Sequence, residues 1–138
     1  MGKIAIIDDN LFFRKITFHL LKKTGVTEDN ILMFENGKEA FEYIIKNIKN
    51  KNLLPELILL DLNMPIVTGW KFLSLFRIVN EKHNYNPQIY ILTSSVDHKD
   101  ISRAKSIHEV NGYLIKPIKT NDLNDLLKKS ELKINVPE

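Results

Sequence analysis

Three aspartates fall where strand-like apolar runs stop. Asp8 and Asp9 follow Lys3–Ile7, and Asp61 closes the run Leu57–Leu60. Another run, Ile89–Leu92, ends in Thr93, Ser94 and Ser95, and Gly112–Ile115 ends in Lys116 followed by Pro117. Carboxylates a few ångströms apart cannot all stay ionised without compensation. A hard divalent cation and an ammonium group supply it most simply. Magnesium suits an all-oxygen donor set and keeps coordination positions open to a phosphate. A carboxylate in such a setting can attack phosphorus and form an acyl phosphate. A hydroxyl and an ammonium nearby would then hold the phosphoryl oxygens as their charge builds, and Thr93 and Lys116 are of those types.

Taken singly, each residue has a plainer role open to it. Asp8 or Asp9 could cap the following helix, although capping needs only one of the two. Thr93 could close its strand end in the same way, and Lys116 could extend its ammonium to solvent. Asp61 is harder to explain so, because an unpaired carboxylate against a buried strand is costly.

For these groups to meet, the chain must bring four strand ends together. The four runs above, with Ile31–Phe34, have strand length and are nearly continuous in apolar character, as strands buried on both faces of a parallel sheet are. Between them lie helical spacings. Leu11–Lys23 places Phe13, Ile16, Leu20 and Leu21 on one stripe and stops at Gly25. Further helices are expected over Gly37–Ile48, Gly69–Val79, Asp100–Ile107 and Asp122–Leu132, the fourth with only a thin stripe of Ile101, Ala104 and Ile107. This alternation predicts an α/β fold, an open five-stranded parallel sheet with helices on both faces. Working sites of such sheets lie outside the carboxyl ends of the strands. The second strand ends in Glu35 and Asn36, so the order 2-1-3-4-5, with that strand at the edge, gathers every candidate group at one mouth.

Composition narrows the classes. The 138 residues suit one domain, and 43% hydrophobic with 27% charged residues is ordinary for a globular protein. With no cysteine, disulfides, thiolate nucleophiles and Cys-ligated zinc are excluded. A net charge of +3 argues for no nucleic-acid partner. No apolar run approaches the ~18–20 residues of a membrane span, and the start lacks the pattern of a signal peptide. The expectation is a cytoplasmic protein without nucleic-acid or membrane partners. His19, His83, His98 and His108 show no metal-ligand spacing and are read as surface residues, and Trp70 is expected to pack near the site without chemistry of its own.

The segments IAIIDDN, LILLDLNMPIVTGW, IYILTSS and GYLIKP, in that order and each at a strand end, resemble the receiver domain of bacterial response regulators over about residues 3–129. The resemblance implies a (βα)5, flavodoxin-like three-layer sandwich over residues 1–130, with 131–138 a tail and no output domain. It implies that Asp61 accepts a phosphoryl group from a sensor histidine kinase or a histidine phosphotransfer domain. Asp8 and Asp9 would hold Mg2+, one of them through water, with the backbone carbonyl of Asn63 as a further ligand. Thr93 would be the switch hydroxyl and Tyr113 the coupled aromatic that turns from exposed to buried. A cis bond at Lys116–Pro117 is implied too. Asn63 and Ser95 occupy positions that tune hydrolysis in the family. A downstream protein, unidentified, would receive the signal from a monomer or a phosphorylation-dependent homodimer.

Leu11 and Phe18, seven residues apart on the first helix, exceed what its core needs, and we read them as an apolar docking patch for the phosphodonor. Other functions fit less well. A magnesium-dependent phosphatase forming an aspartyl phosphate would need a general acid where Asn63 stands. A phosphorylation-independent scaffold does not require the intact set of Asp8, Asp9, Asp61, Thr93 and Lys116. A phosphate shuttle or sink would use the same residues as a switched regulator.

Overall fold

Apolar runs that can be buried on both faces become the middle of a sheet. A computed structural model describes residues 2–129. It contains strands β1 (Lys3–Ile7), β2 (Ile31–Phe34), β3 (Pro55–Leu60), β4 (Gln88–Thr93) and β5 (Val110–Ile115), all parallel and ordered β2-β1-β3-β4-β5. Helices α1 (Leu11–Lys23), α2 (Gly37–Lys46), α3 (Gly69–His83), α4 (His98–Ser106) and α5 (Thr120–Lys129) connect and follow them. The expected fold class and strand order are those observed. Leu132 and residues 131–138 lie outside the described residues.

Alternate residues of the central strands feed two cores. Ala5, Ile7, Ile58, Leu60, Ile89 and Ile91 face the layer of α2, α3 and α4, where Phe72 stacks on Phe76 and Phe76 meets Tyr85 edge-on. Ile4, Ile6, Leu57, Leu59 and Leu92 face the layer of α1 and α5, with Leu21, Leu123, Leu126 and Leu127. The edge strands depart from the expectation of two-sided burial. Met33 of β2 and Ile115 of β5 are exposed, since an edge strand has a neighbour on one side only.

Helix α1 corrects the sequence reading most. Its buried residues are Arg14, Thr17 and Leu21, whereas Phe13, Ile16 and Leu20 are only half-buried. The inward face is polar in its first half because the Arg14 guanidinium donates to the backbone oxygen of Asp8 at 2.7 Å. A charged side chain with such a partner can take a core position that a pattern of apolar residues assigns elsewhere.

Other differences concern ends. Helix α3 runs one turn past its last buried residue, Val79, and stops at Asn84, which is left-handed with φ 51°. Helix α4 begins at His98, where Asp97 caps the amide of Lys99. Between the two helices, the Arg103 guanidinium lies 4.3 Å from the centre of the Trp70 ring, and Arg77 of α3 makes a two-pronged ion pair with Glu109 in the turn before β5. Gly69 begins α3 because nothing larger fits. Its amide donates to Leu62 O at 2.9 Å, and a Cβ there would lie 2.8 Å from Leu62 Cα and closer still to the carbonyl oxygen of Asp61.

Candidate functional site

Asp8, Asp61 and Lys116 each sit one position past a strand and are held there by a further bond of the sheet ladder, while Thr93 is the last residue of β4. The amide of Asp8 donates to Phe34 O at 3.1 Å, that of Asp61 to Ile7 O at 2.9 Å, and that of Lys116 to Thr93 O at 2.8 Å. The adjacent ends of β1 and β3, and that of β5 beyond β4, therefore present their side chains at one edge with backbone precision. The sheet order, not local sequence, makes them neighbours.

Asp8 and Asp61 are buried, and Asp9 is exposed beside them. Carboxylate oxygens of all three lie within 4.8 Å of one another. The Lys116 ammonium, with its side chain 5% exposed, sits 2.6 Å from Asp8 Oδ2 and 3.4 Å from Asp61 Oδ2. Asp8 Oδ1 accepts from the amide of Asn10 at 2.9 Å, so both oxygens of that carboxylate are engaged. Asn10 in turn caps α1 by accepting from the amide of Phe13.

One ammonium does not balance this cluster. Burial first, and the neighbouring Asp8 second, push the Asp61 carboxyl up to about 7, against the opposing pull of Lys116. The donor set answers a fit test for a divalent cation: clustered carboxylate oxygens, one residue open to solvent, and a net negative charge that a hard cation would offset. Asn63, whose carbonyl is the further expected ligand, is exposed in the loop after Asp61.

Thr93 is fully buried, and its Oγ1 accepts from the amide of Ser95 at 3.3 Å. Tyr113 is half-buried, and its hydroxyl donates to Ser95 O at 3.0 Å. Ser95 Oγ donates to Asp100 Oδ2 at 2.7 Å, which ties the loop after β4 to the first turn of α4. The Lys116–Pro117 bond is cis.

The four histidines are exposed, and Trp70 packs against the first core at the start of α3. Leu11 is exposed, as is Phe12, but Phe18 is half-buried against the second core with Lys22 over its ring. The two expected docking residues thus differ in accessibility. Sequence reasoning missed Arg14 and Phe13, which touch Asp8 and Lys116 respectively.

The site and the fold together define a class, and the chain belongs to it. It is a member of the response regulator receiver domain family, matched over residues 4–128. It is 33% identical over 120 residues to the probable methanogenesis regulatory protein FilR2 of Methanothrix harundinacea, covering 87% of this chain and 75% of that one. It is 29% identical over 126 residues to a chemotaxis protein CheY homologue of Campylobacter jejuni, covering 91% and 89%. The crystal structure of a two-component response regulator from Cytophaga hutchinsonii superposes with a TM-score of 0.83 at 26% identity, over 93% of this chain and 95% of that one. The chain also matches hybrid signal transduction histidine kinase F of Dictyostelium discoideum and an osmosensing histidine protein kinase of Saccharomyces cerevisiae, of whose length it spans 11% and 10%. Among the described residues no helix is long and apolar enough to cross a membrane.

Proposed function

We propose that the chain is a phosphorylation-switched regulator in a two-component phosphorelay, with Asp61 the phosphoacceptor. The observation that carries this reading is the buried Asp61 carboxylate flanked by Asp8, Asp9 and the Lys116 ammonium. An ionised Asp61 oxygen attacks the phosphorus of a phosphohistidine. The P–N bond breaks, its electron pair goes to the ring nitrogen of an imidazole already protonated on its other nitrogen, which leaves neutral, and an acyl phosphate remains on Asp61. Asp8, Asp9, Asp61 and the Asn63 carbonyl would hold Mg2+, which supplies charge neutralisation to the phosphoryl oxygens when bound. Lys116 serves the same developing charge from the protein side.

The Thr93 hydroxyl would release the Ser95 amide and turn to the phosphoryl group, with Tyr113 following into the space behind it. Supporting this path, Tyr113 and Thr93 are both bonded to Ser95, and Ser95 is bonded to α4. A groove of about 470 Å³ between α4 and β5, lined in part by Ile101, Ile115 and Tyr113, is the surface this movement would reshape for a downstream protein. Leu11, with Phe18 two turns further along α1, would meet the helices of a histidine kinase or phosphotransfer domain. In this reading residues 1–130 form the receiver, and the protein works in the cytoplasm. It promotes only its own phosphorylation and dephosphorylation. The form we favour is monomeric or dimerises on phosphorylation.

The test is intact-mass measurement after incubation with phosphoramidate and Mg2+. A single phosphoryl adduct, labile to hydroxylamine and missing from Asp61→Asn, is expected. No adduct on the wild type, or an equal one on Asp61→Asn, would refute the reading.

A further inference from the structure

The Lys116 ammonium has two carboxylate partners and, on a third side, the face of Phe13, whose ring centre lies 4.6 Å from Nζ. With the side chain almost fully enclosed, water cannot complete the solvation of this cation. An aromatic face attracts a desolvated cation through its quadrupole without offering a lone pair. A carbonyl or carboxylate in that place would bind the ammonium firmly and compete for its N–H donors. An aliphatic side chain would leave one side of the charge unsatisfied.

We infer that Phe13 is a positioning residue for Lys116, holding its ammonium beside Asp61 while leaving its N–H groups free for phosphoryl oxygens. Phe13 is anchored at its backbone and flanked by a second ring. Its amide is bonded to the capping side chain of Asn10, and Phe12 packs against it edge-on at 5.6 Å. Asp8, the nearer carboxylate, is also a proposed ligand of the divalent cation. Phe13 is the one contact of Lys116 among those described here that no other charge competes for. The same α1 turn that caps the helix thus sets the direction from which Lys116 reaches the site.

The inference rests on the proposed role of Asp61, and the experiment separates the two. Beryllofluoride, a phosphoryl mimic, is titrated at saturating Mg2+ into wild type, Phe13→Leu, Phe13→Tyr and a protein with 3,4,5-trifluorophenylalanine at position 13. The last keeps the ring's shape and removes its negative face, so a merely structural role would not respond to it. Mg2+ affinity and the proton shifts of the Lys116 Cε methylene are measured alongside. Binding of the mimic is expected to weaken about three- to tenfold in the Leu and trifluoro proteins and to stay within about twofold in Phe13→Tyr. Mg2+ affinity should hold throughout, and the methylene signals should lose their ring-current displacement in Phe13→Leu. Unchanged binding in the trifluoro protein, or a parallel loss of Mg2+ affinity, would overturn the inference. A wild type that binds no beryllofluoride would instead refute the role of Asp61, while the methylene shifts would still report whether Phe13 holds Lys116.

Discussion

The hydroxyl of Tyr113 donates to the backbone oxygen of Ser95 at 3.0 Å, joining the middle of β5 to the loop that follows β4. An exchange of partners at this point moves both segments together, since Ser95 also receives and donates bonds of its own. Removing the hydroxyl in Tyr113→Phe leaves a half-buried carbonyl to find water. Stability should fall by about 1 kcal/mol, the ordinary net worth of such a bond, as read from urea denaturation. Amide exchange should quicken over residues 94–97. A variant as stable and as protected as the wild type would show that the bond carries no weight.

The acidic cluster sets a pH dependence in the metal-free protein. An unfolded aspartate titrates near ~3.9, whereas Asp61 in the fold is raised to about 7, by burial foremost. Between those values the folded protein holds more protons than the unfolded chain, so stability falls as pH rises and the loss is complete above the folded value. The contribution of this group is at most ~1.4 kcal/mol per pH unit. Denaturant melts from pH 4.5 to 7.5 should show this fall in wild type, and a visibly smaller one in Asp61→Asn. A divalent cation should flatten the wild-type profile by favouring the ionised carboxylate. Identical profiles for wild type and Asp61→Asn would contradict the assignment.

Gly69 is constrained by backbone on the other side of a contact. A methyl there would press on the carbonyl of Asp61 and the Cα of Leu62, neither of which can swing away as a side chain can. We expect Gly69→Ala to cost ~2 kcal/mol or more and to weaken cation binding by displacing the loop that carries Asp61. Calorimetry of cation binding on the purified variant checks the second effect. Gly69→Ala with wild-type stability and affinity would mean that α3 can retreat freely.

Ile66 stores strain in the same loop. Its φ is 69°, and the amide of Val67 donates to Pro65 O at 2.8 Å, closing a three-residue turn around a β-branched residue. The left-handed region costs an L-residue ~1–2 kcal/mol, and this side chain, 75% exposed, recovers little by packing. Ile66→Gly should therefore gain ~0.5–1 kcal/mol after glycine's greater freedom in the unfolded chain is subtracted. A thermal melt decides it, and a lower midpoint would place Ile66 in contacts that outweigh the strain.

Much of this architecture is legible from strand-end chemistry. Asp8, Asp61, Thr93 and Lys116 end apolar runs, and one sheet order brings them together, the order observed. The bounds of β1, β2 and α1 also follow from apolar spacing. What spacing cannot carry is pairing between distant residues. Arg14 counts as polar in any pattern, yet it lies inside because the carbonyl of Asp8 is there to receive it. Phe13 counts as core, yet its face serves the Lys116 charge. The last turn of α3 buries nothing beyond Val79, so no periodicity announces it. The turn at Ile66 has no sequence signal at all, since glycine or asparagine is what such a backbone ordinarily selects.

Trp70 is the chain's single tryptophan, and it lies beneath the Arg103 guanidinium, one residue after the glycine that abuts Asp61. Indole emission is quenched or shifted by a cation moving over the ring. The protein's intrinsic fluorescence is therefore an optical gauge of how α4 rides on α3, several bonds removed from the acidic cluster. A signal change on adding a ligand to that cluster would be read at the far end of the loop, after the helices have moved.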